Sequence, residues 1–193
     1  PVVPQDETTP FRPNNPYGCS KLMAHHNARI YREGSEQLFI ACGILFNHES
    51  PRRGVEFVTR KITIGIASIL AGWQEKIHLG NLEAQRDWGY APEYVEGMWR
   101  MLQQDAPGDY VLATGETHSV REFLEACCRQ VGLRAEAIVE IDPRCFRPTE
   151  VDVLVGDARK ARDKLSWRPV TTFRELVPLL LAADLAAVGI DPE

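Results

Sequence analysis

Residues 38–46 read LFIACGILF, and the polar stretch NHESPRRG follows directly at residues 47–54. A continuous apolar run of this length is typical of a strand that is covered on both faces, as in a parallel sheet between helices. A polar, turn-rich segment at the carboxyl end of such a strand lies where open α/β sheets bind their ligands. This stretch therefore predicts both the fold class and the position of a site.

Helix and strand patterns alternate around this stretch. A helix is predicted over about residues 16–33, because Asn14 or Asn15 can cap it and Pro16 suits its first turn. Beyond the NHESPRRGVEF loop, helices are predicted at VTRKITIGIASIL, PEYVEGMWRMLQQ, SVREFLEACCRQ, DARKARDKLSW and FRELVPLLLAADLAAVG, and strands at KIHLGN, YVLATG and EAIVEID. Such alternation is typical of the α/β class.

Composition limits the possible functions. The chain has 193 residues and a net charge of −5, so it can bury one domain and part of another, and it favours neither a nucleic-acid nor a membrane partner. Its five cysteines include no C-x-x-C pair, and its apolar stretches are too short to span a bilayer. We expect a cytoplasmic protein without a secretory signal. We also expect no metal, since His25 and His26 are adjacent and point to different sides of a helix.

The sequence PYGCSK at residues 16–21 places Tyr17 and Lys21 one helical turn apart. A phenol is a poor base at neutral pH unless a nearby cation stabilises the phenolate, and a lysine at this spacing supplies that cation. Such a pair suits the removal of a hydroxyl proton while a hydride leaves the same carbon. A solvated lysine below a half-buried tyrosine would have the same spacing, so the pair alone leaves both interpretations open.

The glycine pattern shows what this chain lacks. None of its fourteen glycines has the G-x-G-x-x-G or G-x-x-G-x-x-G spacing. These spacings form the tight phosphate-binding turn of dinucleotide folds. No such turn is therefore predicted within residues 1–193.

Longer motifs carry a family resemblance. PYGCSK, GILFNHESPRRG, FVTRKIT, LGNLEAQRDWGYAPEYVEGMW, ATGETHSVREF, RPTEVD and GDARKARDKLSW occur in this order across essentially the whole chain. With these motifs in this order, the chain resembles the GDP-mannose 4,6-dehydratases, which are extended short-chain dehydrogenases/reductases. The resemblance implies the C-terminal part of a Rossmann-type NAD(P)-binding fold plus a small α/β substrate-binding lobe. Residues 1–52 would belong to the Rossmann part and residues 53–193 mainly to the nucleotide-sugar lobe, with short returns to the sheet.

The resemblance also implies a reaction and its residues. The family converts GDP-mannose to GDP-4-dehydro-6-deoxy-mannose and water, with transient hydride transfer to NADP. Tyr17 would be the base at the sugar C4 hydroxyl and Lys21 its cationic, ribose-binding partner. His48 and Arg53 match cofactor-binding positions. The substrate-binding positions match Asn47, Val58, Lys61, Arg86, Arg147 and Glu150.

Two departures from the family pattern leave alternatives open. Glu56 stands where the family usually carries asparagine, and a carboxylate there would repel a diphosphate unless it turned away. The amino-terminal half, with the glycine-rich loop and the elimination glutamate, is expected to be cleaved, unmatched or on a separate polypeptide, so this chain alone is expected to be inactive. The alternatives are another nucleotide-sugar dehydratase, epimerase or reductase, or a non-catalytic nucleotide-sugar-binding domain. The resemblance also implies a homodimer or homotetramer.

Overall fold

The structure, a computed structural model, describes residues 3–35, 37–146, 151 and 153–191. The helices are α1 (Pro16–Gly34), α2 (Val58–Leu70), α3 (Ala91–Met101), α4 (Val120–Gln130), α5 (Ala135–Ile138), α6 (Arg159–Leu165) and α7 (Phe173–Ala187), with a single 3₁₀ turn at Pro143–Cys145. The strands are β1 (Cys42–Leu45), β2 (Asn47–Glu49), β3 (Ile77–Leu79), β4 (Gln85–Arg86), β5 (Trp88–Tyr90), β6 (Asp109–Leu112), β7 (His118–Ser119) and β8 (Val139–Ile141). The predicted mixed α/β class is confirmed.

Helix α1 begins where the sequence predicted. The side chain of Asn15 accepts a hydrogen bond from the backbone N–H of Gly18 at 2.8 Å, which satisfies one of the free donors of the first turn. Pro16 occupies the first helical position, where its missing N–H costs nothing. Every residue of α1 is described, and none of them is buried. The helix therefore lies on the outside of the described structure.

Parallel pairing dominates the strands. β1 pairs with β6, β2 with β5 and β3 with β8, all parallel, whereas β4 and β7 pair antiparallel. Between β1 and β2, the N–H of Phe46 donates to the carbonyl of Leu112 at 3.0 Å, so the chain stays close to β6 through this break. The apolar run after α1 thus contains the parallel strand that the sequence predicted. The expected cover on both faces is not found among the described residues, because no residue of Cys42–Leu45 is buried.

The boundaries of three predicted elements were wrong. Residues 38–41 precede β1 and are not strand, and residues 47–49, predicted as loop, form β2 against β5. The segment predicted as the strand EAIVEID begins as the short helix α5 before β8. In each case the pairing partner lies far away in sequence, and local pattern carries no information about it.

Two hydrophobic clusters form the core. The larger cluster packs α2, α4 and α7 around residues such as Ile62, Ile66, Phe123, Leu124, Leu176 and Leu180. The smaller cluster lies beside β6 and contains Tyr94, Met101, Tyr110, Leu112, Ala161, Leu165 and Trp167. Burial on this scale is the main source of stability for a chain of this size. Among the described helices, none combines the length and hydropathy that a membrane crossing requires.

Asp87, between β4 and β5, ties three segments together. This fully buried carboxylate accepts hydrogen bonds from Thr114 N and Oγ1, at 2.8 and 2.7 Å, and from the N–H groups of Gly115 and Gly156, at 3.0 and 3.1 Å. Burial raises the pKa of the Asp87 carboxyl, and the four donors oppose that shift by stabilising the anion. Because Asp87 directly follows Arg86 and precedes Trp88, this network fixes the backbone of the neighbouring site.

Candidate functional site

The Tyr17–Lys21 pair lies at the edge of a large cavity. The Lys21 Nζ atom is 5.5 Å from the centroid of the Tyr17 ring, so both side chains occupy one side of α1. Tyr17 is 72 % exposed, which shows that its ring is not used for core packing within the described residues. Both residues line a cavity of about 840 Å³, together with His48 and Arg53. The four residues predicted as catalytic or cofactor-binding thus border the same space.

His48 is held in a defined orientation in β2. Its Nδ1 atom lies 2.9 Å from the carbonyl oxygen of Phe46, which can only accept, so Nδ1 carries the proton and donates. The ring also stacks on Tyr94, with the centroids 5.2 Å apart. In the neutral tautomer, Nε2 is therefore the acceptor.

A second, smaller cavity of about 220 Å³ contains the predicted substrate residues that the structure describes. Asn47, Val58, Lys61 and Arg86 all line it, although they come from β2, α2 and β4. Val58 and Lys61 are one turn apart on α2 and face the cavity together, as their spacing predicted. The remaining two predicted residues, Arg147 and Glu150, lie outside the described residues.

Arg53 borders both cavities. Its guanidinium lies over the ring of Phe57, 3.7 Å from the centroid, and its Nε atom is 3.5 Å from the Glu49 Oε2 atom. Arginine suits such a position because its planar group can stack and still offer several donors. Arg53 therefore joins the cavity of the Tyr17–Lys21 pair to the cavity of the substrate residues.

Two residues that support Arg53, Glu49 and Thr59, were not predicted as site residues from the sequence. Glu49 is buried, and Thr59 Oγ1 donates to its Oε2 atom at 2.5 Å. Burial raises the pKa of the Glu49 carboxyl, while the hydrogen bond from Thr59 and the charge of Arg53 act in the opposite direction. Glu49 lies inside the quoted NHESPRRG motif, so the signal was present, but only the structure shows that its side chain anchors Arg53.

Three cationic side chains, Arg53, Lys61 and Arg86, line the smaller cavity together with two carboxyl groups, Glu49 and Glu56. The Arg86 Nη1 atom donates to the carbonyl oxygens of Gln85 and Val151, at 2.8 and 2.7 Å, which fixes the guanidinium in place. The Lys61 Nζ atom is 3.6 Å from the Cys145 Sγ atom, a contact that the sequence analysis did not anticipate. Arginine and lysine at this spacing are the groups that bind phosphate oxygens. Glu56 also lines the cavity, so this departure from the family pattern falls at the site itself.

Comparisons with known proteins show the family of this chain. The family model described as GDP-mannose 4,6 dehydratase matches residues 1–180. GDP-mannose 4,6 dehydratase 1 of Arabidopsis thaliana is 55 % identical over 94 % of this chain and 50 % of its own length. The human GDP-mannose 4,6 dehydratase is 47 % identical over 98 % of this chain and 55 % of its own length. The chain thus spans about half the length of these relatives.

Solved structures show the same fold. The structure of RMD from Pseudomonas aeruginosa complexed with NADPH has a TM-score of 0.86 over 96 % of this chain and 61 % of its own, at 21 % identity. Parallel strands with covering helices define a Rossmann-type α/β fold. More narrowly, the chain belongs to the GDP-mannose 4,6 dehydratase family.

Proposed function

We propose that this chain forms the sugar-nucleotide site and part of the catalytic site of a dehydratase that converts GDP-mannose to GDP-4-dehydro-6-deoxy-mannose and water. The observation that carries the proposal is that Arg53 borders the Tyr17–Lys21 cavity and the cavity lined by Lys61 and Arg86 at once. A sugar linked to a diphosphate fits this layout. Its sugar needs a base that removes a hydroxyl proton, and its diphosphate needs cationic side chains in the adjoining cavity.

The smaller cavity supplies the groups that a nucleoside diphosphate sugar requires. Arg86 and Lys61 bring positive charge to the diphosphate, and Arg86 offers a planar set of donors already oriented by two carbonyls. Asn47 can both donate to and accept from hydroxyl groups. Val58 adds an apolar contact on the same helix face as Lys61. The predicted roles of Arg147 and Glu150 remain part of this proposal.

Tyr17 performs the proton step at the sugar. Its Oη atom takes the proton of the C4 hydroxyl, and the ammonium of Lys21 stabilises the phenolate electrostatically. The exposure of Tyr17 on the cavity wall leaves its hydroxyl accessible to a substrate. Lys21 also offers donors to a ribose.

NADP is the cofactor proposed for the larger cavity. The donor set fits a nucleotide, since the cations of Lys21 and Arg53 and the imidazole of His48 border one space of about 840 Å³. When bound, the nicotinamide would accept the C4 hydride and later return it to C6. We also propose that residues 1–52 belong to the cofactor side and residues 53–193 mainly to the sugar-nucleotide side, with short returns to the sheet. The parallel pairing of β6 with β1 supports one such return.

A calorimetric titration of the 193-residue chain tests the substrate assignment. GDP-mannose and GDP are expected to bind, and UDP-glucose and dTDP-glucose to bind at least about tenfold more weakly, a difference of about 1.4 kcal/mol. A preference for a uridine or thymidine nucleotide would favour a sister enzyme of the same superfamily. No binding of any nucleotide sugar would contradict the proposed site.

Turnover requires a second experiment. The segment of the Arabidopsis relative that this chain does not match would be fused ahead of residue 1, and formation of the 4-keto sugar would be followed with NADP. Replacing Tyr17 with Phe should lower kcat by orders of magnitude with little change in substrate binding, whereas Tyr31→Phe, on the same helix, should not. A fusion that binds GDP-mannose but never forms the keto sugar would support the non-catalytic alternative.

A further inference from the structure

Three possible metal ligands meet beneath α1. His25 on α1, Cys42 at the start of β1 and Asp109 at the start of β6 bring one ligand atom each to within 4.8 Å of one another. The adjacent histidines His25 and His26, which point to different sides of a helix, predicted no metal site. The fold instead directs His25 toward two strands that are distant in sequence from it and from each other.

We propose that His25, Cys42 and Asp109 bind a zinc ion. Zinc accepts imidazole nitrogen, thiolate sulfur and carboxylate oxygen together, because it is a borderline-soft ion without a geometric preference of its own. Three protein ligands leave a fourth position, which a water molecule fills in sites of this kind. His25 and Cys42 also border the larger cavity, so water can reach that position.

One separation already matches a tetrahedral site. Zinc–ligand bonds of about 2.0–2.3 Å at tetrahedral angles place neighbouring ligand atoms about 3.3–3.8 Å apart. The His25 Nε2 and Asp109 Oδ2 atoms already lie 3.7 Å apart. The side chains are mostly sheltered, with 13 % of His25 and 20 % of Asp109 exposed. The other ligand atoms lie within 4.8 Å, so zinc binding would have to draw them closer by up to about 1 Å.

Arg32 orients the carboxylate. Its Nη1 atom donates to Asp109 Oδ1 at 2.7 Å and to the carbonyl oxygen of Ile40 at 3.2 Å, which leaves Oδ2 directed at His25. Ligating carboxylates are commonly held by such an outer hydrogen bond. The Asp109 carboxylate is therefore held in place by Arg32 on one side and faces His25 on the other.

Cys42 supplies the sulfur ligand. Zinc binds cysteine as the thiolate, so zinc binding at a protonated Cys42 releases one proton.

The site would secure the helix that carries Tyr17 and Lys21. None of the residues of α1 is buried, so within the described structure the helix has little hydrophobic anchoring. A metal bound by α1, β1 and β6 would link the helix directly to the sheet. Zinc binding is therefore expected to raise the thermal stability of the chain.

Cobalt substitution tests the proposal. The 193-residue chain is freed of metal with a chelator and titrated with Co²⁺, which reports a cysteine ligand through a thiolate charge-transfer absorption. One equivalent of Co²⁺ should produce that absorption, and one equivalent of Zn²⁺ should abolish it. Cys42→Ser should remove the band, and His25→Gln should weaken Zn²⁺ binding at least about tenfold.

The controls are the neighbouring residues Cys19 and His26, whose replacements Cys19→Ser and His26→Gln should leave both signals unchanged. Circular dichroism of each variant separates loss of ligand from loss of fold. Absence of the band in the unaltered chain would overturn the proposal, and this result depends on no variant. A band that survives Cys42→Ser would overturn it as well.

Discussion

The Nε atom of Arg53 lies 3.5 Å from Oε2 of the buried Glu49, so the residue between the two cavities is anchored from below by an ion pair. Thr59 holds the same oxygen from α2. The stack on Phe57 restrains the guanidinium from a further side. Arg53 is thus fixed before any ligand arrives, which lowers the entropic cost of using it for binding.

Replacing Arg53 with Ala should weaken binding of GDP-mannose at least about tenfold, which corresponds to about 1.4 kcal/mol. Arg53→Lys should recover only part of this loss, because an ammonium cannot both stack on Phe57 and offer a fork of donors. Calorimetry on the 193-residue chain measures both variants. Arg52 is exposed and does not line either cavity, so Arg52→Ala is the matched control. Equal losses for the two alanine variants would show that Arg53 acts only through general charge.

The alkylation rate of Cys145 reports whether a ligand occupies the smaller cavity. Its sulfur lies 3.6 Å from Lys61 Nζ in the cavity wall, so a bound diphosphate should shield it from iodoacetamide. With GDP-mannose at about ten times its Kd, the alkylation rate at Cys145 should fall about tenfold. The exposed Cys19 should react at an unchanged rate, as followed by mass spectrometry. Slowing at both cysteines, or at neither, would place the ligand elsewhere.

The Glu49 carboxyl should give a characteristic pH dependence of stability. Burial raises its pKa above the ordinary value of 4.5, so between pH 4.5 and the folded pKa the folded chain holds a proton that the unfolded chain has released; the ion pair with Arg53 forms above that range. The raised pKa of Glu49 therefore stabilises the fold. This stabilisation is fully present below pH 4.5 and is lost as pH rises through the folded-state pKa. Urea unfolding of the unaltered chain and of Glu49→Gln measures this contribution as a difference.

That difference, unaltered chain minus Glu49→Gln, should become smaller as pH rises from 4.5 toward 7. Glu136→Gln, at an exposed position, is the control for loss of one carboxylate. A difference that increased with pH would mean that Arg53 and Thr59 stabilise the Glu49 anion more than burial destabilises it.

Replacing Asp87 with Asn should destabilise the fold by about 3 kcal/mol, as measured by urea unfolding. The carboxylate accepts four hydrogen bonds, whereas an amide would turn an NH₂ group toward at least one of those donors. Asp105→Asn, at an exposed position, should change stability by no more than about 0.5 kcal/mol. A tolerated Asp87→Asn change would show that the network does not depend on the negative charge.

The local features of this chain were predictable from sequence. Helix α1 was predicted with its cap, because Asn15 and Pro16 act within one turn, and the spacing of Tyr17 and Lys21 places both on one side of any helix. The apolar run before Asn47 indicated a parallel strand for an equally local reason, although none of the residues of β1 is buried within the described structure. The ordered motifs indicated the family, which the family comparison confirmed.

Tertiary structure decided what depends on residues far apart in the chain. Asn47–Glu49 become strand β2 only because β5 offers its backbone groups alongside them, and no pattern in the loop sequence shows that partner. The position of Arg53 between two cavities depends on α2, β2 and the loop between them folding together. His25, Cys42 and Asp109 meet because a helix crosses two strands whose parallel pairing is set by long-range packing, and that packing is invisible to helix and strand periodicity.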